Sequence, residues 1–235
     1  MKWNLTASLI ICLAASICNA GRDPGFVIPD RVDCTDTLII VARGTSEPPG
    51  EGPQHVIAEE VQRRLGAHRV KHIPLEWPAS LFPTYGESVK TGTENLKKTI
   101  SKYTSECPDI KIVLMGFSQG AQVISDTLCG MDEKNFPKTE PIDPSLGAFV
   151  AAAVGMGDPT FNPGLSYDYG TATHHGWFPR RNDKSCVAYD YIRISYCDKG
   201  DIYCDHGVDP KVHSSYFKTY FEHCVEFIID RVKAR

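Results

Sequence analysis

A chain of 235 residues, 42% apolar and 23% charged, is long enough to bury a sizeable core and lacks the bias of a disordered or fibrous protein. Its 25 basic and 29 acidic residues give a formal charge of −4, which argues against nucleic acid and against anionic membrane surfaces as partners.

Lys2 gives a positive start, Leu5 to Ile17 is mostly apolar, and Cys18 and Ala20 are small residues at the two positions a signal peptidase reads. Residues 1–20 are therefore expected to be a removed signal peptide, and residues 21–235 one secreted, extracellular domain of formal charge −5. The apolar stretch falls short of the roughly 20 residues that span a bilayer, so no integral membrane contact is expected. No long Pro/Ser-rich linker or internal repeat is visible, and a monomer is expected. The mature part keeps seven cysteines: Cys34, Cys107, Cys129, Cys186, Cys197, Cys204 and Cys224. Export makes disulfides the default, and no pair has the short spacing of a zinc site, so no metal is expected. An odd count leaves one thiol over.

Thr37 to Ala42 is short, apolar and β-branched, and reads as a buried strand. His55, Val56, Glu60 and Arg64 lie in a helical pattern that stops at Gly66. Val70 to Leu75 reads as a strand. Val89, Leu96, Ile100 and Tyr103 place an amphipathic helix over Gly86 to Ser105, closed by Pro108. Strand Ile110–Met115 and helix Ser118–Cys129 follow, then strands Gly147 to Val154 and Tyr189 to Ser195. Val212, Tyr216, Tyr220, Cys224 and Ile228 give a C-terminal helix with one apolar face. The order β-α-β-α-β-α-β-loop-β-α predicts a three-layer α/β/α sandwich around a mostly parallel sheet of about five strands, with no segment long enough for a lid.

Gly116-Phe117-Ser118-Gln119-Gly120 stands between a strand and a helix, the context of the G-x-S-x-G nucleophile elbow of serine esterases. The turn strains the serine backbone and needs neighbours without a Cβ, while the helix N-terminus behind it favours developing negative charge. A serine needs a base, and in this fold the members follow in the order Ser, acid, His. Asp201 sits between Cys197 and Cys204, which can close a small ring around it, and His213 follows. Asp201 is assigned as acid and His213 as base; Asp198 or Asp205 as acid, and His206 as base, remain open alternatives. An oxyanion hole needs two converging donors. The backbone N–H of Gln119 is one, and Thr45, in the loop Ala42-Arg43-Gly44-Thr45-Ser46-Glu47 after the first strand, supplies the other through its N–H or its hydroxyl.

These motifs together resemble the cutinase family of secreted α/β hydrolases, which includes cutinases and acetylxylan esterases. The loop Ala42 to Glu47 is similar to that family's oxyanion loop, Gly116 to Ala121 to its elbow, and Cys197, Asp201, Cys204 and His213 to its last motif, so the resemblance covers the chain from Cys34 to the final helix. It implies a lidless sandwich with an exposed serine, the disulfides Cys34–Cys107 and Cys197–Cys204, and, through the acetylxylan esterase branch, Cys129–Cys186, leaving Cys224 single. It implies ester hydrolysis through an acyl-enzyme, with no cofactor.

Residues 202–212, between acid and base, are largely polar here, which offers a fatty chain little apolar burial. The segment from Gly157 through Tyr167 and Tyr169 to Trp177 is similar to acetylxylan esterases. Tyr167, Tyr169 and Trp177, with Asn162, Asp168 and His174 among them and Tyr85 nearby, suit a sugar's apolar faces and hydroxyls. The expected substrate is an ester of an acetylated polysaccharide. Cutin is the alternative, with Phe82, Tyr85, Phe161 and Phe178 as an apolar rim, and a secreted non-catalytic binding protein is the rival from another class. The region 176–184, with Arg180-Arg181, has no placed counterpart.

Overall fold

The computed structural model describes residues 28–235 apart from 30, 83, 135 and the side chain of residue 183. The expected signal peptide lies outside the described residues. Strands β1 (Thr37–Ala42), β2 (Val70–Pro74), β3 (Lys111–Phe117), β4 (Val150–Met156), β5 (Asp168–Tyr169) and β6 (Arg193–Tyr196) form one sheet in the order β2-β1-β3-β4-β6-β5. Every pairing is parallel. About five strands were expected. The sixth, β5, is a two-residue edge strand inside the loop after β4, too short to leave a period in the sequence.

The sheet is covered on both faces, which is why β1, β3 and β4 read as unbroken apolar runs. Ile39, Val41, Val113, Met115 and Val154 pack on one side with residues of α1 (His55–Leu65) and α7 (Phe221–Lys233), such as Val61, Val225 and Ile228. Leu38, Ile40, Ile112 and Leu114 pack on the other with residues of α2 (Tyr85–Glu106) and α3 (Gln119–Cys129), such as Leu96, Ile100, Val123 and Leu128. A one-turn helix α4 (Pro144–Gly147), capped by Asp143, leads into β4.

Two elements differ from the sequence reading. Residues 183–192 form kinked turns of 3-10 helix, so the last central strand starts at Arg193 rather than near Tyr189. The expected C-terminal helix is broken into α5 (Pro210–His213), α6 (Tyr216–Thr219) and α7. Asp209 caps α5 by accepting the N–H of Lys211, and the N–H of Ser215 bonds back to Val212 O, which turns the chain before α6. His213 therefore ends its own short turn instead of opening a long helix.

Three disulfides staple these elements. Cys34–Cys107 ties the segment before β1 to the end of α2, Cys129–Cys186 ties the end of α3 to the 3-10 segment, and Cys197–Cys204 closes the ring after β6. Cys224 is free and buried in α7, where burial pushes its thiol up to about 12.

Candidate active site

The loops after β1, β3, β4 and β6 leave the sheet at its carboxyl edge, the side where open parallel sheets bind ligands. Ser118 joins β3 to α3 with φ 54° and ψ −118°, a strained conformation for a residue with a side chain. Its N–H is held by Met156 O at 2.8 Å. A Cβ on Gly116 would lie 2.4 Å from Gly120 O, and one on Gly120 would lie 2.1 Å from Ala42 O. The elbow thus closes only because both flanking positions are glycine, and Ser118, expected to be exposed, is largely buried at the N-terminus of α3, with 9% of its surface exposed.

Asp201, Cys197 and Cys204 form one compact loop. The Asp201 carboxylate is fully buried, with Oδ1 accepting the N–H groups of Tyr203 (2.7 Å) and Cys204 (3.0 Å). Oδ2 faces His213 Nδ1 at 2.8 Å and accepts the Tyr216 hydroxyl at 2.6 Å. Burial alone would raise this carboxyl's pKa. The hydrogen bond and charge of His213, with the Tyr216 and Cys204 donors, outweigh burial and hold it below the usual range. The alternatives are engaged elsewhere. Asp198 accepts from Thr171 and Tyr220, Asp205 accepts the N–H groups of Thr173, His174 and Gly200, and His206 Nδ1 faces His175 O. The His213 ring packs between Phe117 and Tyr203, at 4.8 Å and 4.5 Å between centroids. Gly157 has φ 63°, and a Cβ there would lie 2.8 Å from the imidazole, so the loop after β4 approaches His213 as closely as glycine permits.

The loop after β1 is pinned from below. Buried Arg43 donates to the carbonyls of Glu47, Leu75 and Trp77, and the Gly44 N–H donates to Glu47 Oε2 at 2.7 Å. Among the described residues, neither the Thr45 nor the Gln119 backbone N–H is bonded to a protein acceptor. The Gln119 side chain is tied to Ser80 O and Ser88 Oγ, away from solvent.

Ser118, His213 and Thr45 line one cavity of about 270 Å³, walled by Leu81, Tyr85, Phe117, Pro159, Trp177, Phe178, Tyr203 and Glu47. Tyr85 donates to Gln122 Oε1 and packs on Phe178, and Trp177 packs edge-on to Tyr203. Trp177 and Tyr85 are thus brought to the serine. Tyr167 and Tyr169 are not. Tyr167 lies under the Arg193 guanidinium, 3.8 Å from its ring centroid, and Tyr169 stacks on His223. Asn162 donates to Arg180 O, Asp168 accepts from Leu165 N, and His174 lies beside Asp205. The aromatic content of the loop was legible, but Tyr167, just before edge strand β5, packs on Arg193 and Tyr169, within it, packs on Tyr196, both residues of β6 and neither in the cavity lining.

Tyr203 and Phe117 were not singled out from the sequence, although adjacency to Asp201 and Ser118 was a signal. Arg180 was left without a role. It is buried, pairs with buried Asp126 of α3, and donates to Gly130 O. Burial pushes the Asp126 carboxyl up to about 6 despite that partner. The pair fixes the strip that carries Trp177 and Phe178, whose N–H groups bond to Tyr203 O and Pro159 O. Among the described residues, no group of three or more histidines, cysteines or carboxylates is placed to hold a metal ion, and no helix is long and apolar enough to cross a membrane.

A parallel sheet that presents a strained serine elbow at its carboxyl edge, beside a histidine–aspartate pair, defines a small α/β hydrolase. The family model for cutinase matches residues 33–232, and the chain belongs to the cutinase family of carboxylic ester hydrolases. It is 30% identical over 210 residues to acetylxylan esterase 2 of Talaromyces purpureogenus, covering 86% of this chain and 88% of that protein. It is 37% identical over 148 residues to the acetylxylan esterase of Hypocrea jecorina, covering 62% of this chain and about half (49%) of that protein's length. Cutinase 11 of Verticillium dahliae is 27% identical across 97% of this chain and 78% of its own. The solved catalytic core of acetyl xylan esterase from Trichoderma reesei superposes with a TM-score of 0.79 at 30% identity, covering 85% of this chain and all of that one.

Proposed function

We propose that this chain removes short acyl groups, above all acetyl groups, from an acetylated plant polysaccharide such as xylan, through an acyl-enzyme on Ser118. His213 takes the proton of Ser118 as its oxygen attacks the ester carbonyl. Asp201 orients the imidazole and stabilises its cationic form. The N–H of Gln119 and the N–H or hydroxyl of Thr45 stabilise the oxyanion, and His213 then protonates the departing sugar oxygen. Water, activated by the same histidine, releases acetate. None of these steps calls for a metal or organic cofactor. The chain acts as a single secreted domain and a monomer, and the three disulfides support secretion.

The observation that carries the substrate reading is the cavity. Its volume of about 270 Å³, lined by Tyr85, Trp177 and Phe178 among others, admits a small acyl group beside Ser118. Likeness to acetylxylan esterases across most of the chain supports the same reading. A cutinase-type reading rests on a different observation. Leu81 and Trp177, which line the cavity, are each 49% exposed, and Phe82 beside Leu81 in the chain is 80% exposed, apolar surface that a longer acyl chain would cover.

Acetate release from acetylated xylan, run beside aryl esters of increasing acyl length, separates the two. The acetyl reading expects a steep fall beyond two or three carbons, and best activity at four or more with xylan untouched replaces it by the cutinase reading. Ser118→Ala should abolish turnover and labelling by a serine-directed phosphonate, with folding retained. A variant that still turns over at the wild-type rate removes the mechanism altogether. Thr45→Ala tests the hydroxyl: a loss of about 10²- to 10³-fold in turnover means that the hydroxyl donates, and a small change means that the N–H does.

A further inference from the structure

Tyr216 is not part of the cavity wall. It opens α6 and is fully buried. Its hydroxyl donates to Asp201 Oδ2 at 2.6 Å, the same oxygen that His213 Nδ1 meets at 2.8 Å. The phenol oxygen accepts the Asp198 N–H at 3.1 Å and lies 3.4 Å from Cys204 Sγ. A phenol has one proton, and a carboxylate can only accept, so the proton direction is settled by the partners. Burial and the neighbouring Asp201 charge raise the phenol's pKa, so it remains a donor at every working pH.

We propose that Tyr216 is a positioning residue that draws charge from Asp201 Oδ2 and so sets the pH at which His213 becomes a competent base. This rests on Asp201 and His213 being acid and base. Two donors share one oxygen, so the tyrosine's share of its electron density is withheld from the histidine. Loss of the phenol hydroxyl returns that density to Nδ1–H and strengthens the bond from His213 to Asp201. The broken C-terminal helix acquires a purpose here, because the turn at Ser214 and Ser215 folds Tyr216 back onto the acid loop.

Other groups face the pair. Tyr203 from the acid loop and Phe117 from β3 flank the imidazole, and Glu47 and Tyr85 share the cavity with it. Asp198 and Asp205 belong to the same loop as Asp201. Asp198 is held by Thr171 and Tyr220, Asp205 by three backbone N–H groups, and Glu47 by Gly44. None of these side-chain bonds involves the Tyr216 hydroxyl; besides its bond to Asp201, Tyr216→Phe removes the acceptor of the Asp198 N–H.

The test is the pH profile of kcat/KM on an aryl acetate for wild type, Tyr216→Phe, and a protein carrying 3-fluorotyrosine at position 216. The acidic limb should move up by about 0.5–1 pH unit in Tyr216→Phe, with KM unchanged. It should move down with the fluorinated phenol, a stronger donor of nearly the same shape. A role in packing alone changes kcat or stability and moves neither limb, and coincident limbs overturn the proposal. Should Tyr216→Phe not fold, the fluorinated protein decides the matter by itself. His213→Ala separates the two levels of inference. If it keeps the wild-type profile, the base assignment falls and this proposal with it; if it is inactive while the limbs coincide, only the role of Tyr216 falls.

Discussion

Two carboxylates in this molecule are equally hidden from water and ionise in opposite directions. Asp201 is surrounded by four donors on a disulfide-closed loop, and its pKa falls below the usual range. Asp126 meets a full guanidinium from Arg180, yet burial within α3 pushes it up to about 6. A formal charge partner is thus a poorer guide to ionisation than the number of donors delivered to the oxygens. The acid loop is built to hold a charge in place, whereas the Asp126–Arg180 pair serves to anchor the wall of the cavity.

Substitution should separate the two roles. Asp201→Asn is expected to lower kcat by about 10³- to 10⁴-fold with the fold retained, because the amide disfavours the working imidazole tautomer. Asp126→Asn should leave turnover near wild type. Initial rates on an aryl acetate check both, and equal losses would erase the distinction. Stability should show the reverse. Arg180→Ala or Asp126→Asn leaves a buried partner uncompensated and costs about 3–5 kcal/mol, read from urea midpoints. The joint replacement Asp126→Leu with Arg180→Met should recover much of that loss. Next in size are the disulfides. Removing Cys34–Cys107, with a sequence separation of 73, should cost about 4 kcal/mol in the chain-entropy model. Removing Cys197–Cys204, with a separation of 7, should cost about 2–3 kcal/mol but lower kcat more, since it frees Asp201.

The pH dependence of stability also separates the two sites, because its sign differs between them. Asp201 titrates below its unfolded value of about 3.9, so its contribution is present above that pH and is lost as pH falls through the native value. Asp126 holds a proton in the native state up to about pH 6 that the unfolded chain has already shed. Its contribution favours the native state at the acid end and is lost as pH rises through about 6. Denaturation midpoints measured from pH 4 to 7 should show that decline in wild type and lose it in Asp126→Asn.

The central strands were legible because strands covered on both faces carry no polar alternation to confuse the period. The elbow was legible because its chemistry is local, a strand, two glycines and a helix within about ten residues. Asp201 and His213 could be ordered along the chain, but which acid meets which histidine is decided by how the ring at Cys197–Cys204 folds. The broken helix was missed because apolar residues at 212, 216, 220 and 224 keep a helical period through a turn that the Asp209 cap and the bond from Ser215 N–H to Val212 O impose. Tyr167 and Tyr169 were misplaced because composition shows that a loop is aromatic, not which way it faces. Arg180 and Asp126 are 54 positions apart, a separation no local pattern spans.

The glycines of the elbow bear on how this protein can change. Any side chain at Gly116 or Gly120 strikes backbone atoms of neighbouring segments, and neither a rotamer change nor a compensating trim nearby relieves backbone. Trp177, Leu81 and Phe82 reach solvent and meet no such obstacle. Random mutagenesis under selection for a new acyl group should therefore return winners on the rim and almost none at the elbow. The chemistry is frozen by sterics, while the preference for substrate stays open to single-step exploration.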